Sequence, residues 1–246
     1  MIALRSLLFL LSLIILTPPY SIVSLLTFPF PPLVRYRVIS SWTLIVLWLL
    51  RVLCGLRFEV RGREHIPTTP SIILCKHQSA WETLALQAVF PPQVWVMKRS
   101  MLWVPFLGWG LAMLSPIAID RKGGRAALNQ VTEQGRDRLG KGLWIVIFPE
   151  GTRVAPGVAG RYGIGGAWLA THTQTPVVPV AHNGGEYWSR NSFLKYPGTI
   201  TMSIGAPIPV EGLQPTELNE KVQSWIEAEM KNLPGSRFRI QDSGKN

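Results

Sequence analysis

The chain has 246 residues, enough to bury one full catalytic-sized core together with an appendage. Its formal charge is +11, yet only 16% of its residues are charged and its mean hydropathy is positive. Nucleic-acid binders carry their basic groups on a polar background, so this balance argues against that class and for an anionic membrane surface or phosphate-bearing ligands.

The N-terminal stretch from Ser6 to Val34 contains no charged residue, ample for a span of about 20 residues. Pro18-Pro19 and then Pro29, Pro31 and Pro32 interrupt it. Proline cannot donate to the helix ladder, so a single straight helix is not expected here. A helix over 6–17 would be roughly 18 Å long, short of a hydrocarbon core of about 30 Å. A second apolar segment, Val38 to Leu50, is also short. A signal peptide fits poorly, because MIALR has one positive charge and no small-residue cleavage site follows. A transmembrane anchor and a hairpin packed only on the protein itself compete with it. The reading favoured is a pair of helices that dip into one leaflet or lie at its interface. Arg35, Arg37, Arg51, Arg57, Arg61 and Arg63 face a single acid, Glu59, in this region. Such a bias would hold it against anionic headgroups on the cytoplasmic face of the inner membrane. Residues 1–56 thus form a membrane-associated helical segment and 57–246 an α/β domain.

From Arg57 onward, apolar runs of strand length alternate with helix-like segments. Strands are expected at 58–60, 71–75, 94–97, 116–119, 144–148, 176–181 and 199–204, and helices near 80–90, 124–139, 163–171 and 215–231. Near-continuous Ile/Val runs between helices predict a mostly parallel or mixed sheet flanked by helices on both faces. The polar tail from Gly235 is expected to fray. Cys54 and Cys75 make no disulfide framework and read as packed, reduced thiols.

Four strand ends carry groups capable of chemistry, where loops of α/β sheets bind ligands. After SIILC come Lys76 and His77, and an imidazole there can take a proton at neutral pH. Glu82 follows five positions on and has two readings. In Ser79-Ala80-Trp81-Glu82 it fits the S-x-x-E capping box, or it swings back to orient His77 and stabilise imidazolium. FPEGTR at 148–153 follows a buried-strand pattern: Gly151 permits a tight turn, Glu150 and Thr152 offer hydrogen-bonding groups, and Arg153 offers a fork for phosphate. IAIDR ends on Asp120 and Arg121, and Lys98 follows the VWVM strand. The competing reading of each is plain: a capping histidine, an ordinary turn, a surface salt bridge. GRDRLGKG at 135–142 lacks the Ser/Thr of a P-loop and precedes a strand. No nucleophile elbow is present, and the histidines have no metal-ligand spacing. Cys75 as a nucleophile is conceivable, but a buried strand thiol is the simpler reading.

Together these pieces resemble the glycerolipid acyltransferase family, nearest its bacterial branch acting on 1-acylglycerol 3-phosphate, from about Arg57 to Pro209. His77 and Glu82 match its first block, a histidine and an acid separated by four residues. Lys98, Leu102, Pro105, Gly108, Trp109 and then AIDR at 118–121 match the second, FPEGTR the third, and Val178-Pro179-Val180 the fourth. Two departures stand out: Glu82 replaces the usual aspartate, and Lys76 replaces the usual asparagine before the histidine. The resemblance implies that His77, oriented by Glu82, deprotonates the 2-hydroxyl of lysophosphatidic acid as it attacks an acyl thioester of coenzyme A or acyl-carrier protein. It also implies that Arg153 and Arg121 bind the acceptor phosphate, shaped by Glu150, Gly151 and Thr152, with Asp120 and Lys98 nearby. The partners implied are membrane phospholipid, the lysolipid and the thioester, with no metal, prosthetic group or nucleic acid. Rival readings are another lysolipid acceptor and a non-catalytic protein that binds anionic lipids.

Overall fold

Strand formation follows the apolar runs closely. In the computed structural model, which describes residues 1–120 and 123–234, every expected strand is present with ends moved by one or two residues. They are β1 (Leu56–Arg61), β2 (Ile72–Cys75), β3 (Gln93–Lys98), β4 (Ile117–Ile119), β5 (Trp144–Ile147), β6 (Val177–His182) and β7 (Gly198–Ile204). They form one mixed sheet in the order β1-β7-β6-β2-β5-β3-β4. β6, β2, β5, β3 and β4 run parallel, in registers such as Ile73↔Val146 and Ile73↔Val178. β7 is antiparallel to β6, and β1 is parallel to β7. The carboxyl ends of the five parallel strands therefore share one edge, with β2 in their midst.

Alternate residues of each strand enter opposite cores. Ile73, Cys75, Trp144, Val146, Val178 and Val180 join one hydrophobic cluster, and Ile72, Leu74, Ile145 and Val177 join the other. Burial on both faces is why these strands read as unbroken apolar runs. The second cluster is closed by α5 (Gly124–Gly140), α6 (Gly165–Thr173) and α7 (Pro215–Asn232). The first is closed by α1 (Ile2–Leu26), α2 (Pro32–Cys54) and α3 (Trp81–Val89). A short α4 (Leu107–Met113) has no counterpart among the expected helices; Pro105, Gly108 and Gly110 mask it, since both residue types are poor helix formers.

The N-terminal hairpin corrects one expectation. Pro18 and Pro19 lie inside α1, which continues to Leu26. They forfeit two ladder bonds, but packing of one face decides helix persistence more than local propensity does. Ser6, Phe9, Ser21 and Ser24 are buried on that face. Pro32 begins α2 at the first helical position, where its missing N–H costs nothing. Buried Tyr36, Ile39, Thr43, Val46, Leu50 and Cys54 then recur at helical spacing. α2 ends at Gly55, whose φ of +67° suits glycine and whose N–H caps Arg51 O. At about 1.5 Å per residue, both helices are long and apolar enough to cross a membrane. Each is nonetheless tied to the α/β domain: in α1, Ser6 Oγ accepts the Lys195 N–H and Ser21 Oγ donates to Phe106 O, and in α2, Thr43 Oγ1 donates to Gln87 Oε1 of α3.

Candidate active site

β2 stops at Cys75, and the chain turns through Lys76–Ala80 before α3 begins. This turn sits where the parallel strand order places neighbours on both sides of β2, so it is flanked by the loops after β5 and β6. Backbone bonds clasp it to the loop after β5. The His77 N–H donates to Glu150 Oε2 at 2.8 Å, and the Val154 N–H donates to His77 O at 2.8 Å. Phe148 stacks on the imidazole, with ring centroids 4.0 Å apart. FPEGTR thus grips the histidine directly. Gly151, at φ +68°, turns that loop where a Cβ would be strained.

His77 Nδ1 is 2.7 Å from Glu82 Oε1. A neutral ring that gives its Nδ1–H to a carboxylate carries its lone pair on Nε2, the state required of a general base. The Glu82 side chain is wholly buried, while the His77 side chain keeps 15% of its surface exposed. Glu82 also accepts the N–H groups of Gln78 and Ser79, the latter at 3.0 and 2.9 Å on its two oxygens. Glu82 thus reaches back to the Ser79 N–H and also holds the imidazole, but the full S-x-x-E box is not formed: Ala80 is the N-cap residue of α3, and Ser79 Oγ does not accept the Glu82 N–H. Ser79 Oγ caps the Trp81 N–H at 3.1 Å.

Behind this pair lies a charged cluster. Lys76 is buried, and its Nζ lies 2.7 Å from both Glu150 Oε1 and Glu227 Oε1, and donates to Val158 O at 3.1 Å. A buried ammonium needs such partners, because leaving it unpaired would cost several kcal/mol. Tyr162 Oη donates to Glu227 at 2.9 Å. Burial, and then the Glu150 and Glu227 carboxylates, push that phenol far above its usual value, so it stays a donor. Lys76 thereby neutralises the carboxylate that holds the His77 backbone.

His182, at the end of β6, closes the other flank. Its Nε2–H donates to Lys76 O at 2.9 Å, its Nδ1 accepts the Gly184 N–H at 3.1 Å, and Glu82 Oε2 is 3.8 Å from Nε2. Burial pushes its pKa below the ordinary histidine value despite the nearby Glu82. It is a neutral ring of fixed tautomer.

Of the other predicted groups, Glu150 belongs to this cluster, with no exposed side-chain surface, and the rest stand apart from it. Thr152 is exposed and Arg153 half-buried, with Arg153 O accepting a bond from Arg190 Nη1 at 2.9 Å. Lys98 is exposed at the end of β3, paired in register with Ile119, and exposed Asp120 follows β4. Arg121 lies outside the described residues. His77, Arg153, Lys98 and Asp120 thus follow strands that end on one edge of the sheet.

The family model for acyltransferases matches residues 57–183, just over half of the chain. The 1-acyl-sn-glycerol-3-phosphate acyltransferase of Pseudomonas aeruginosa is 46% identical over 210 residues, covering 84% of this chain and 82% of that protein. The chain belongs to the acyltransferase family. The human 1-acyl-sn-glycerol-3-phosphate acyltransferase alpha is 30% identical over 75% of this chain and 67% of that protein. The crystal structure of the 1-acyl-sn-glycerophosphate acyltransferase of Thermotoga maritima shares the fold, with a TM-score of 0.77 at 20% identity, over 94% of this chain and 95% of that one.

Within this acyltransferase, sequence reasoning passed over Glu227 and Tyr162, considered His182 only for metal-ligand spacing, and placed Lys76 beside His77 without naming a partner for it. Glu227 sits mid-helix in α7 and carries no local signal. His182 ends a strand, as His77 nearly does, and that placement was the available clue. Cys54 and Cys75 are both free and buried. Burial first, then the Glu82 and Glu150 charges, push the Cys75 thiol well above its ordinary value. A nucleophilic thiolate is disfavoured there. Among the described residues no cluster of His, Cys, Asp or Glu could hold a metal ion.

Proposed function

We propose that this protein is a 1-acyl-sn-glycerol-3-phosphate acyltransferase, moving an acyl group from a thioester to the 2-hydroxyl of lysophosphatidic acid and giving phosphatidic acid. The observation that carries the mechanism is the 2.7 Å contact of His77 Nδ1 with the buried Glu82, on a backbone pinned by Glu150. His77 Nε2 takes the hydroxyl proton as the oxygen bonds to the thioester carbonyl carbon. Glu82 stabilises the imidazolium. The carbon–sulfur bond then breaks, and the imidazolium returns the proton to the departing thiolate. A thioester is already activated, so no acyl-enzyme is required.

Arg153 and Arg121 hold the acceptor phosphate, for which guanidinium forks are suited. Thr152 lines that site, and Lys98 supplies a cation to the phosphate or to the developing oxyanion. The donor is an acyl thioester of coenzyme A or of acyl-carrier protein. A shallow cleft between α1, α2 and α4 is lined by Trp42, Phe106, Leu111 and Leu114, with Tyr20 and Gln87 at its polar side. The hairpin attaches the enzyme to the cytoplasmic face of the inner membrane. One stripe of each helix is packed on the α/β domain while Ile14, Ile15, Leu44 and Trp48 are exposed, which favours helices lying in one leaflet over helices crossing it.

An acyl-transfer assay of wild type and His77→Ala, with lysophosphatidic acid and both thioester donors, tests this. Loss of a general base is expected to lower turnover about 10²–10⁴-fold with the thermal midpoint kept. Retained turnover in His77→Ala would remove the mechanism. Activity only with a different lysolipid would replace the acceptor.

A further inference from the structure

The connection from β3 into the first turn of α4 exposes more large apolar surface than a soluble connection has reason to. Within nine residues, Met101, Trp103, Val104, Phe106, Leu107 and Trp109 are all exposed, Trp103 to 82%. The display is built into the backbone. Phe106 adopts φ +59°, rare for an aromatic residue, and Ser21 Oγ of α1 bonds its carbonyl at 2.7 Å. A Cβ on Gly108 would approach Leu102 O to 2.4 Å, so the turn closes only with glycine there. Refolding the segment to hide these rings would undo both features.

Two further observations identify what covers the patch. It is continuous with the tip of the hairpin. The Ser21–Phe106 bond ties it to the second half of α1, and Arg35 Nη2, near the start of α2, donates to Ser115 Oγ just past α4 at 3.1 Å. At that tip Phe28 is 70% exposed. Exposed Lys98 and Arg99 directly precede the patch. Tryptophan and phenylalanine beside lysine and arginine are the composition of a membrane interface on its anionic side, and an apolar patch of this kind marks a binding surface. The patch also begins at the carboxyl end of β3, on the same sheet edge as His77.

We infer that residues 101–109 form a second membrane contact, separate from the hairpin in sequence, whose aromatic side chains enter the headgroup–acyl boundary of an anionic leaflet. This rests on the membrane attachment proposed above. Its consequence is orientation: two contacts fix the rotation of the domain and turn the His77 edge toward the leaflet in which a lysolipid acceptor resides.

Single-cysteine labelling with an environment-sensitive fluorophore separates the two ideas, since both native thiols are buried. Three full-length variants are compared: Trp103→Cys in the patch, Trp48→Cys on the exposed face of α2, and Ser224→Cys on the exposed side of α7. Each is first checked for wild-type turnover, with Val104→Cys replacing any patch variant that fails it. Vesicles of phosphatidylethanolamine with phosphatidylglycerol are expected to raise emission severalfold at positions 48 and 103, to permit quenching there by lipid-borne nitroxide, and to leave position 224 unchanged. Response at 48 without 103 overturns the second contact and keeps the hairpin attachment. No response at either position overturns both. A vesicle-independent response at 103 that grows with protein concentration overturns the proposal in favour of self-association.

Discussion

The two halves of the sheet edge are built on opposite principles. After β2, β5 and β6, the ionisable groups packed closest to His77 are tied: Lys76 to Glu150 and Glu227, Glu82 to His77 and Ser79, and His182 to Lys76 O and the Gly184 N–H, while Arg153, farther along the loop after β5, is half-buried. After β3 and β4, Lys98 and Asp120 stand exposed. The difference matches the tasks. A proton acceptor gains from being fixed before substrate arrives, because alignment then costs nothing during reaction. Under the proposed function, a site for an acceptor brought in by a bilayer must stay open to admit its phosphate.

If this contrast is right, the buried half fails through folding and the exposed half through binding. Lys76→Met is the severest test. It leaves the Glu150 carboxylate buried without its cation, and removal of one partner of a buried pair typically costs about 3–5 kcal/mol. Denaturant unfolding is expected to show a loss of that size, partly recovered in Lys76→Met/Glu150→Gln. A loss under about 1 kcal/mol would mean that Lys76 behaves as a surface ion and that the cluster does not hold the turn.

Glu82→Gln against Ser79→Ala separates chemistry from capping within the same turn. The amide keeps the side chain's size but removes the charge that stabilises imidazolium, so turnover is expected to fall at least about 10²-fold. Ser79→Ala removes only the bond to the Trp81 N–H, with a cost of about 1 kcal/mol in stability and turnover kept. If the two variants lose turnover alike, Glu82 serves the helix and not the histidine.

The exposed half, and half-buried Arg153 past the end of β5, are expected to respond more mildly. Arg153→Ala removes charge-assisted bonds worth about 1.5–3 kcal/mol, so KM for lysophosphatidic acid should rise roughly 10- to 100-fold with little change in kcat. Lys98→Ala, at an exposed side chain, should raise it less than about tenfold, and added salt should erase most of that difference. A fall in kcat in Lys98→Ala with KM kept would assign this lysine to the oxyanion.

The same contrast explains what could be read without coordinates. Strand runs such as WIVIF and SIILC are dictated by burial on both faces, and their turn residues follow at once, so His77, Glu82 and FPEGTR were legible. The pairing of Lys76 with Glu227 joins positions 151 residues apart in sequence, and nothing local in α7 announces it. Pro18-Pro19 misled for the opposite reason. The local rule is sound, but α1 lies packed against the domain, and packing outweighs two lost ladder bonds. Glu82 looked like a choice between capping and orienting because sequence spacing assigns a side chain one partner, whereas a carboxylate with two oxygens serves both.

The mildest test concerns His182. Burial holds this imidazole neutral and below its ordinary pKa in the folded protein, whereas in the unfolded chain it takes a proton near pH 6.5. Below that pH the unfolded state binds more protons, so stability falls as the medium acidifies, until the folded ring titrates as well. His182→Gln can still donate to Lys76 O but cannot titrate. It should therefore show a smaller drop in thermal midpoint than wild type between pH 7.5 and 5.5, even if it starts lower at pH 7.5. Identical slopes in the two proteins would mean that the acid sensitivity arises elsewhere. A slope that disappears in His182→Gln would show that the buried half keeps its order by excluding a proton.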